Sequence, residues 1–438
     1  MPRKYQAYPE YKDSGVEWLG DIPTHWDAKR LGQFFEERRE KVSDTDYPAL
    51  SVTMQGIVPQ LETAAKTDAG DNRKLVIKND FVINSRSDRK GSSGVSPFDG
   101  SVSLISIVME PRRIVPSYVH HLLRSYPFQE EFYRYGKGIV ADLWSTNSSE
   151  MKNILIPKAP EEEQKAIADF LDHETAKIDT LIEKQQQLIK LLKEKHQAVI
   201  SHAVTKGLNP NAPMRDSGIE WLGEVPAHWA EVPLKALLGL KHGYAFDSTN
   251  FADSGDYILM TPGNFNQRGG FRHKAPEKHY VGTDIPEDFI LESGQMLLAM
   301  TEQGPGLLGC ALFVPDKDTY LHNQRLGLVR NLRDDKVSEK YLFHLFNSSR
   351  CRAEVSVSST GAKVKHTSPE KILSIKIWIP PLSEQKKIAR FIDEMTDKIN
   401  DLEVKAEQTI FLLRERRTAL ISAAVTGKID VRNHAFQN

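Results

Sequence analysis

The stretch EEEQKAIADFLDHETAKIDTLIEKQQQLIKLLKEKHQAVISHAVT, residues 161–205, returns later in the chain as SEQKKIARFIDEMTDKINDLEVKAEQTIFLLRERRTALISAAVT, residues 383–426. Gln164 aligns with Gln385 (385 − 164 = 221), and no gap is needed from there to Thr205 and Thr426. Apolar residues recur every seven positions at Leu171, Ile178, Leu192 and Val199, and at Ile392, Ile399, Leu413 and Leu420. Such a repeat is the seam of a long helix packed on a partner. Ile156-Pro157 and Ile379-Pro380 hold the chain extended before each helix, because a residue preceding proline is disfavoured in the helical region. Glu161, Glu162, Glu163 and Glu384 suit the positive end of a helix dipole, and Gly207 and Gly427 mark the stops. About 44 residues rising 1.5 Å each give a rod of roughly 65 Å. The seam is imperfect. Gln185 faces Ala406, and Glu174, Lys195 and His202 hold positions where the other copy has Met395, Arg416 and Ala423. Those polar residues either fix register or reach solvent.

A second repeat lies ahead of each variable region. DSGVEWLGDIPTHW at residues 13–26 reappears as DSGIEWLGEVPAHW at residues 216–229, with ten of fourteen positions identical. His25 and His228 lack a neighbouring Cys, Asp or His pair at metal or catalytic spacing. The box therefore reads as a Trp-anchored segment that docks each half onto the helices. Between box and helix, short β-type runs at 47–52, 74–78, 81–84 and 102–109 precede a helical stretch at 117–135. The second half offers strands at 257–261, 295–301, 311–314 and 326–330 and a helix at 338–348. Gly138 and Gly361 each stand nineteen residues before the proline that precedes the helix (157 − 138 = 19; 380 − 361 = 19), so the middles are equivalent domains with diverged side chains.

The fold class expected is α+β: two mixed α/β domains separated by two long helices that form an antiparallel coiled coil, an internal pseudo-two-fold repeat. The boundaries expected are a first domain at 1–158, a helix at 159–207, a second domain at 208–381, a helix at 382–428 and a tail at 429–438. Antiparallel pairing follows from chain geometry. A domain of about 165 residues, with a radius of gyration near 15 Å, must join the end of one rod to the start of the next. Parallel rods would separate those ends by roughly 65 Å.

A net charge of −1 over 438 residues does not announce a nucleic-acid binder, so such contacts must come from local patches. Two cysteines provide neither a disulfide framework nor a zinc set. With no signal-like stretch and no run of about 18 apolar residues, a soluble cytoplasmic chain is expected. Phosphate-loop, HExxH and GxSxG signatures are absent, and Gly304-Pro305-Gly306 reads as a turn because the proline removes an amide. No catalytic residue and no metal ligand is nominated.

Polar loops suit DNA better. Asn84, Ser85, Arg86, Arg89 and Lys90 lie in a small-residue loop after a β-run, and the equivalent run of the second domain continues into Thr301 and Gln303. Further candidates are Lys241, His242 and Tyr244, then Arg268, Arg272 and Lys274, then Asn323, Gln324 and Arg325. Arg and Lys read guanine edges or neutralise phosphates, and Asn and Gln suit adenine. Off the helix seam, Ile182, Ile189, Phe391 and Phe411 offer apolar surface for partner subunits or for the chain's own domains.

The chain resembles the specificity subunits of type I restriction-modification systems. The EWLGxxPxHW boxes at 17–26 and 220–229 and the Ile-Pro to Glu-Gln-Lys junctions at 156–165 and 379–386 carry the likeness, which covers nearly the whole chain. It implies two target recognition domains, each reading one half of a bipartite DNA site. The helices would act as spacer and as platform for two modification subunits. Those partners would bring S-adenosylmethionine and methyl transfer, and motor-nuclease subunits would bring ATP, Mg and cleavage. Nothing in the likeness assigns the base-contacting residues. The competing class is a coiled-coil adaptor with two protein-binding domains. A third, a nuclease or methyltransferase acting alone, would require S-adenosylmethionine binding by this chain.

Overall fold

A computed structural model of the chain describes residues 5–60, 70–138, 144–302, 304, 306–361 and 364–434. Both long helices form, over Glu161–Lys206 and Leu382–Val425. Each ends at a glycine in the left-handed region, Gly207 (φ 73°) or Gly427 (φ 72°), the conformation that releases a helix from its last turn. A side chain at Gly427 would also strike Pro23, 2.5 Å from an ideal Cβ, so the stop doubles as a docking point for the first box.

The chain divides into two compact units, one of Met1–Gln186 with Glu407–Asn438, the other of Gln187–Ala406. In the first unit the early turns of the first helix pack on the late turns of the second. Ile167, Phe170, Leu171 and Ile178 share a core with Leu420, Ala424 and Val425, and Arg417 pairs with Asp179 at 3.0 Å. In the second unit the late turns of the first helix meet the early turns of the second. Ile200, Ala203 and Val204 join Ile388 and Ile392, and His196 Nε2 lies 3.0 Å from Thr396 Oγ1. Within each unit the helices are therefore antiparallel, as the connection argument requires. Of the polar seam positions, Glu174 is buried and accepts from Tyr5 Oη at 3.0 Å, while Lys195 and His202 face solvent.

The same sheet is built twice. In the first unit the strands lie in the order Ser93–Val95, Phe81–Asn84, Ser106–Pro111, Phe35–Glu37, all antiparallel. In the second the order is Ala311–Phe313, Met296–Ala299, Leu326–Arg330, Gly239–His242, again antiparallel. Outside this sheet the domains differ. The first adds a three-stranded sheet and a hairpin, the second a five-stranded sheet containing one parallel pair. Two sequence expectations are corrected. The helical stretch at 117–135 is two helices, Pro116–Leu122 and Tyr126–Arg134. Pro127 has no amide to continue the first helix, and Ser125 caps the second by accepting from the Phe128 amide. Similarly, the run at 102–109 is broken by an exposed turn at Leu104 and Ile105.

Each Trp box is tied to the first turn of a long helix by one glutamate. Glu163 accepts from Trp26 Nε1 at 2.9 Å and from Tyr8 Oη at 3.0 Å, and lies 2.7 Å from His25 Nε2. In the other half Glu384 lies 2.8 Å from His228 Nε2 and accepts from Trp229 Nε1 at 3.4 Å. The next residue clamps the variable domain. Gln164 Oε1 accepts from the Val115 amide at 2.9 Å, and Gln385 Oε1 from the Ser338 amide at 2.8 Å. About two turns further on, His121 meets Asp172 at 2.7 Å and His344 meets Asp393 at 2.8 Å. At the far ends, Tyr118 Oη donates to Val425 O (3.3 Å) and Tyr341 Oη to Val204 O (3.1 Å). These paired contacts explain why sequence identity concentrates in box and junction. They form the frame, and the domains it holds are free to vary.

Candidate nucleic-acid interface

The buried strand Phe81–Asn84 delivers the first candidate loop to the surface. Asn84 Oδ1 accepts from the Arg86 amide at 3.0 Å, a local turn of the kind Asn favours. A 3-10 turn over Ser87–Arg89 follows. Ser85 is buried and accepts from Ser145 Oγ at 3.0 Å, so it supports the loop from beneath. Lys90 is ion-paired with Glu130, Arg89 lies 3.7 Å from Asp88, and the Arg86 side chain has no partner among the described residues. The corresponding loop of the second domain is pinned in the same way. Arg86 bridges Ser145, which bridges Lys137; Thr301 bridges His366, which bridges Thr360. Thr301 Oγ1 also lies 3.1 Å from His366 Nδ1. Gln303 and Pro305 lie outside the described residues.

The remaining candidates separate by what their side chains already hold. Lys241 donates to Asp288 O at 2.7 Å and sits 4.2 Å from the centroid of Phe289. His242 Nδ1 is 3.1 Å from the Gly243 carbonyl, and Tyr244 is exposed with its ring against Phe246 and Phe289. Arg268 pairs with Glu403 of the second long helix at 2.8 Å, and Arg272 donates twice to Gly263 O. Lys274, Asn323, Gln324 and Arg325 come together instead. They line one cavity of about 330 Å³ floored by Phe246, Phe251, Ile258 and Leu259. Lys274, Lys278 and Arg325 outweigh Glu277 on its lining, giving it cationic character. His322, at the base of this turn, adds no charge at neutral pH. Burial pushes its imidazole down to about 4, and Nε2 faces the Leu326 carbonyl at 3.0 Å.

Among the described residues no group of three His, Cys, Asp or Glu side chains is set to hold a metal, and no helix is long and apolar enough to cross a membrane. Both cysteines are buried and unpaired with each other. On the long helices Phe391 and Phe411 are exposed, Ile189 is half-buried, and Ile182 is half-buried against the core of the first unit. Leu412, which the sequence reading passed over, extends the exposed patch at Phe411. Also passed over were Glu163, Glu384, Gln164 and Gln385 as clamps. Their identity at matching repeat positions was the only trace, and a carboxylate in a first helical turn already has a sufficient explanation in the helix dipole.

Residues 226–410 match the family model described as the type I restriction modification DNA specificity domain. Along 95% of this chain, and 95% of the relative, the sequence is 26% identical to the type I restriction enzyme MjaVIII specificity subunit of Methanocaldococcus jannaschii. Among solved structures, the fold is similar to a chain from a study of complex assembly and conformational transition in the type I R-M system. That likeness has a TM-score of 0.64 and 17% identity, covering 92% of this chain and 98% of the other. It is also similar to the HsdS subunit of Thermoanaerobacter tengcongensis, with a TM-score of 0.54 and 18% identity over 93% of this chain and 98% of the other.

Proposed function

We propose that this chain is a specificity subunit of the type I restriction-modification kind and gives such a complex its DNA sequence specificity, a reading supported by the family-model match and by the full-length relative. Each of the two variable domains reads one half of a bipartite duplex target. The observation that carries this reading is the duplicated antiparallel sheet, pinned at the same loop in both domains and clamped by the same Glu-Gln pair. A frame repeated so closely, holding loops so different, is what two readers of unlike half-sites require. Arg86, Arg89 and Lys90 of the first domain, and Lys274, Gln324 and Arg325 of the second, are the DNA contacts this reading favours. Lys241, His242, Tyr244, Arg272 and Thr301 serve as their support.

The chain itself is non-catalytic. Methyl transfer with S-adenosylmethionine, and cleavage with ATP and Mg, belong to modification and motor-nuclease subunits acting with it on the chromosome in the cytoplasm. Two modification subunits dock on the helices, one per repeat. Phe411 and Leu412, 63% and 64% exposed, are the apolar surface best suited to that contact. The helices set the gap between half-sites.

Three measurements test the proposal. Retention of duplex DNA by the reconstituted complex should fall steeply and log-linearly with salt, as phosphate neutralisation demands; a flat response would favour an adaptor that binds proteins. Removing one heptad from both helices should change the gap in the methylated motif, and an unchanged gap would defeat the ruler role. Phe411→Lys with Leu412→Lys should reduce the co-expressed modification subunit that copurifies from two copies per chain to one, and an unchanged two copies would remove this patch as a dock. Ile182→Lys is less informative, because Ile182 also packs against the chain's own core.

A further inference from the structure

The turn at 322–325 is built so that two polar side chains are left free on a fixed backbone. Asn323 does not point out to a ligand, since its Oδ1 accepts from the Arg325 amide at 3.0 Å and closes the turn on itself. The flanking backbone is held on both sides. The Tyr244 amide donates to His322 O, the Gln324 amide to Tyr244 O and the Met300 amide to Arg325 O, each at 2.9 Å. Gly243 permits that approach, because a Cβ there would lie 2.0 Å from Asn323 O. Gln324 and Arg325 are exposed, and neither side chain has a partner among the described residues. By contrast, Arg268, Arg272 and Lys241 are all engaged by carboxylates or carbonyls of the chain. Across the cavity stands the exposed Lys274.

The corresponding turn of the first domain, ahead of strand Ser106–Pro111, presents Leu104 and Ile105 instead. Those side chains have no hydrogen bond to offer a base edge.

We infer that the 322–325 turn is the base-reading element of the second domain, with Gln324 taking an adenine and Arg325 a guanine at their major-groove edges while Lys274 meets a phosphate. This rests on the proposed function. A carboxamide matches adenine N6 and N7, and a guanidinium matches guanine O6 and N7, each through two hydrogen bonds. Rigid presentation adds to discrimination, because little side-chain or loop freedom is left to lose on binding. The first domain reads its half-site through the loop carrying Arg86, so the two half-sites are read by different elements of the same sheet.

The test expresses the complete system in a host with the wild-type chain or with Q324A, R325A, R325K or R86A, and reads the methylated motif by methylome sequencing. Q324A should relax one adenine position, and R325A and R325K one guanine position, all in the same half-site, by roughly 5- to 150-fold in preference. R325K keeps the charge and so should retain overall methylation while losing the guanine preference, a split that a merely structural role would not produce. R86A should alter only the opposite half. K274A should weaken binding uniformly over sequences and lower the salt slope by about one. An unchanged motif with Q324A and both Arg325 variants would overturn the inference, as would a uniform loss of methylation with R325K. If the wild-type complex methylates no bipartite motif, the functional reading fails first and this inference with it.

Discussion

Replacing Glu163 with alanine should cost far more than replacing Glu384, although the two occupy the same place in the repeat. Glu163 is buried, and two donors that depend on it, Trp26 Nε1 and Tyr8 Oη, are buried as well. A buried donor left without an acceptor costs about 1–3 kcal/mol, so the pair should lose about 2–6 kcal/mol. Glu384 serves one indole at 3.4 Å and the half-exposed His228, and its own carboxylate is 27% exposed. Water can replace much of what it provides there, which limits the loss to about 1 kcal/mol. The assay is hydrogen exchange on the full-length chain, read separately in peptides covering 5–26 and 214–229, because local opening is then measured without assuming that both units unfold together. Glu163→Ala should expose the first box and leave the second protected. Equal loss of protection in the two boxes, or a larger loss with Glu384→Ala, would refute the reasoning.

Acid stability should trace to the His-Asp pairs that join each variable domain to a long helix. Hydrogen bonding to His121 holds the Asp172 carboxyl below its ordinary value, and His344 does the same for Asp393. A depressed folded-state value contributes stability that is present above the unfolded value near 4 and is lost as pH falls below it. The double variant Asp172→Asn, Asp393→Asn should therefore be less stable at pH 7 and show a shallower decline below about pH 4 in denaturant titrations. Burial pushes the Cys351 thiol up to about 12 and raises Cys310, so neither should react with iodoacetamide at pH 7.5 until the chain unfolds. Mass spectrometry of the native and urea-treated protein checks this. Tyr118→Phe and Tyr341→Phe should each lower stability by about 0.5–1.5 kcal/mol, since each phenol donates to a carbonyl in the last turns of a long helix. Urea midpoints with unchanged slopes would carry that result.

Much of the frame was legible before any coordinates. The heptad pattern needs only apolar spacing, a local property, so Leu171, Ile178, Ile392 and Ile399 identify themselves and are buried as expected. The seam is less regular than its spacing. Val199 is half-buried while the neighbouring Ile200 is fully buried, because domain packing competes with the helix partner there. For the sixteen DNA candidates, residue type could be read from the chain but no ranking among them could. Arg268 and Arg325 look alike in the chain, yet one is held by Glu403, 135 residues away, and the side chain of the other has no partner among the described residues.

The sequence by itself determined the repeat, the two helices with their glycine stops and the antiparallel sense of their pairing, because each follows from periodicity, backbone sterics or the length of the connection. Tertiary structure alone decided that one glutamate anchors each Trp box, that the first anchor is the more deeply buried, and which polar side chains remain available. Those outcomes depend on partners contributed from distant parts of the chain, and on burial, which sets whether a missing hydrogen bond is replaced by water or left open.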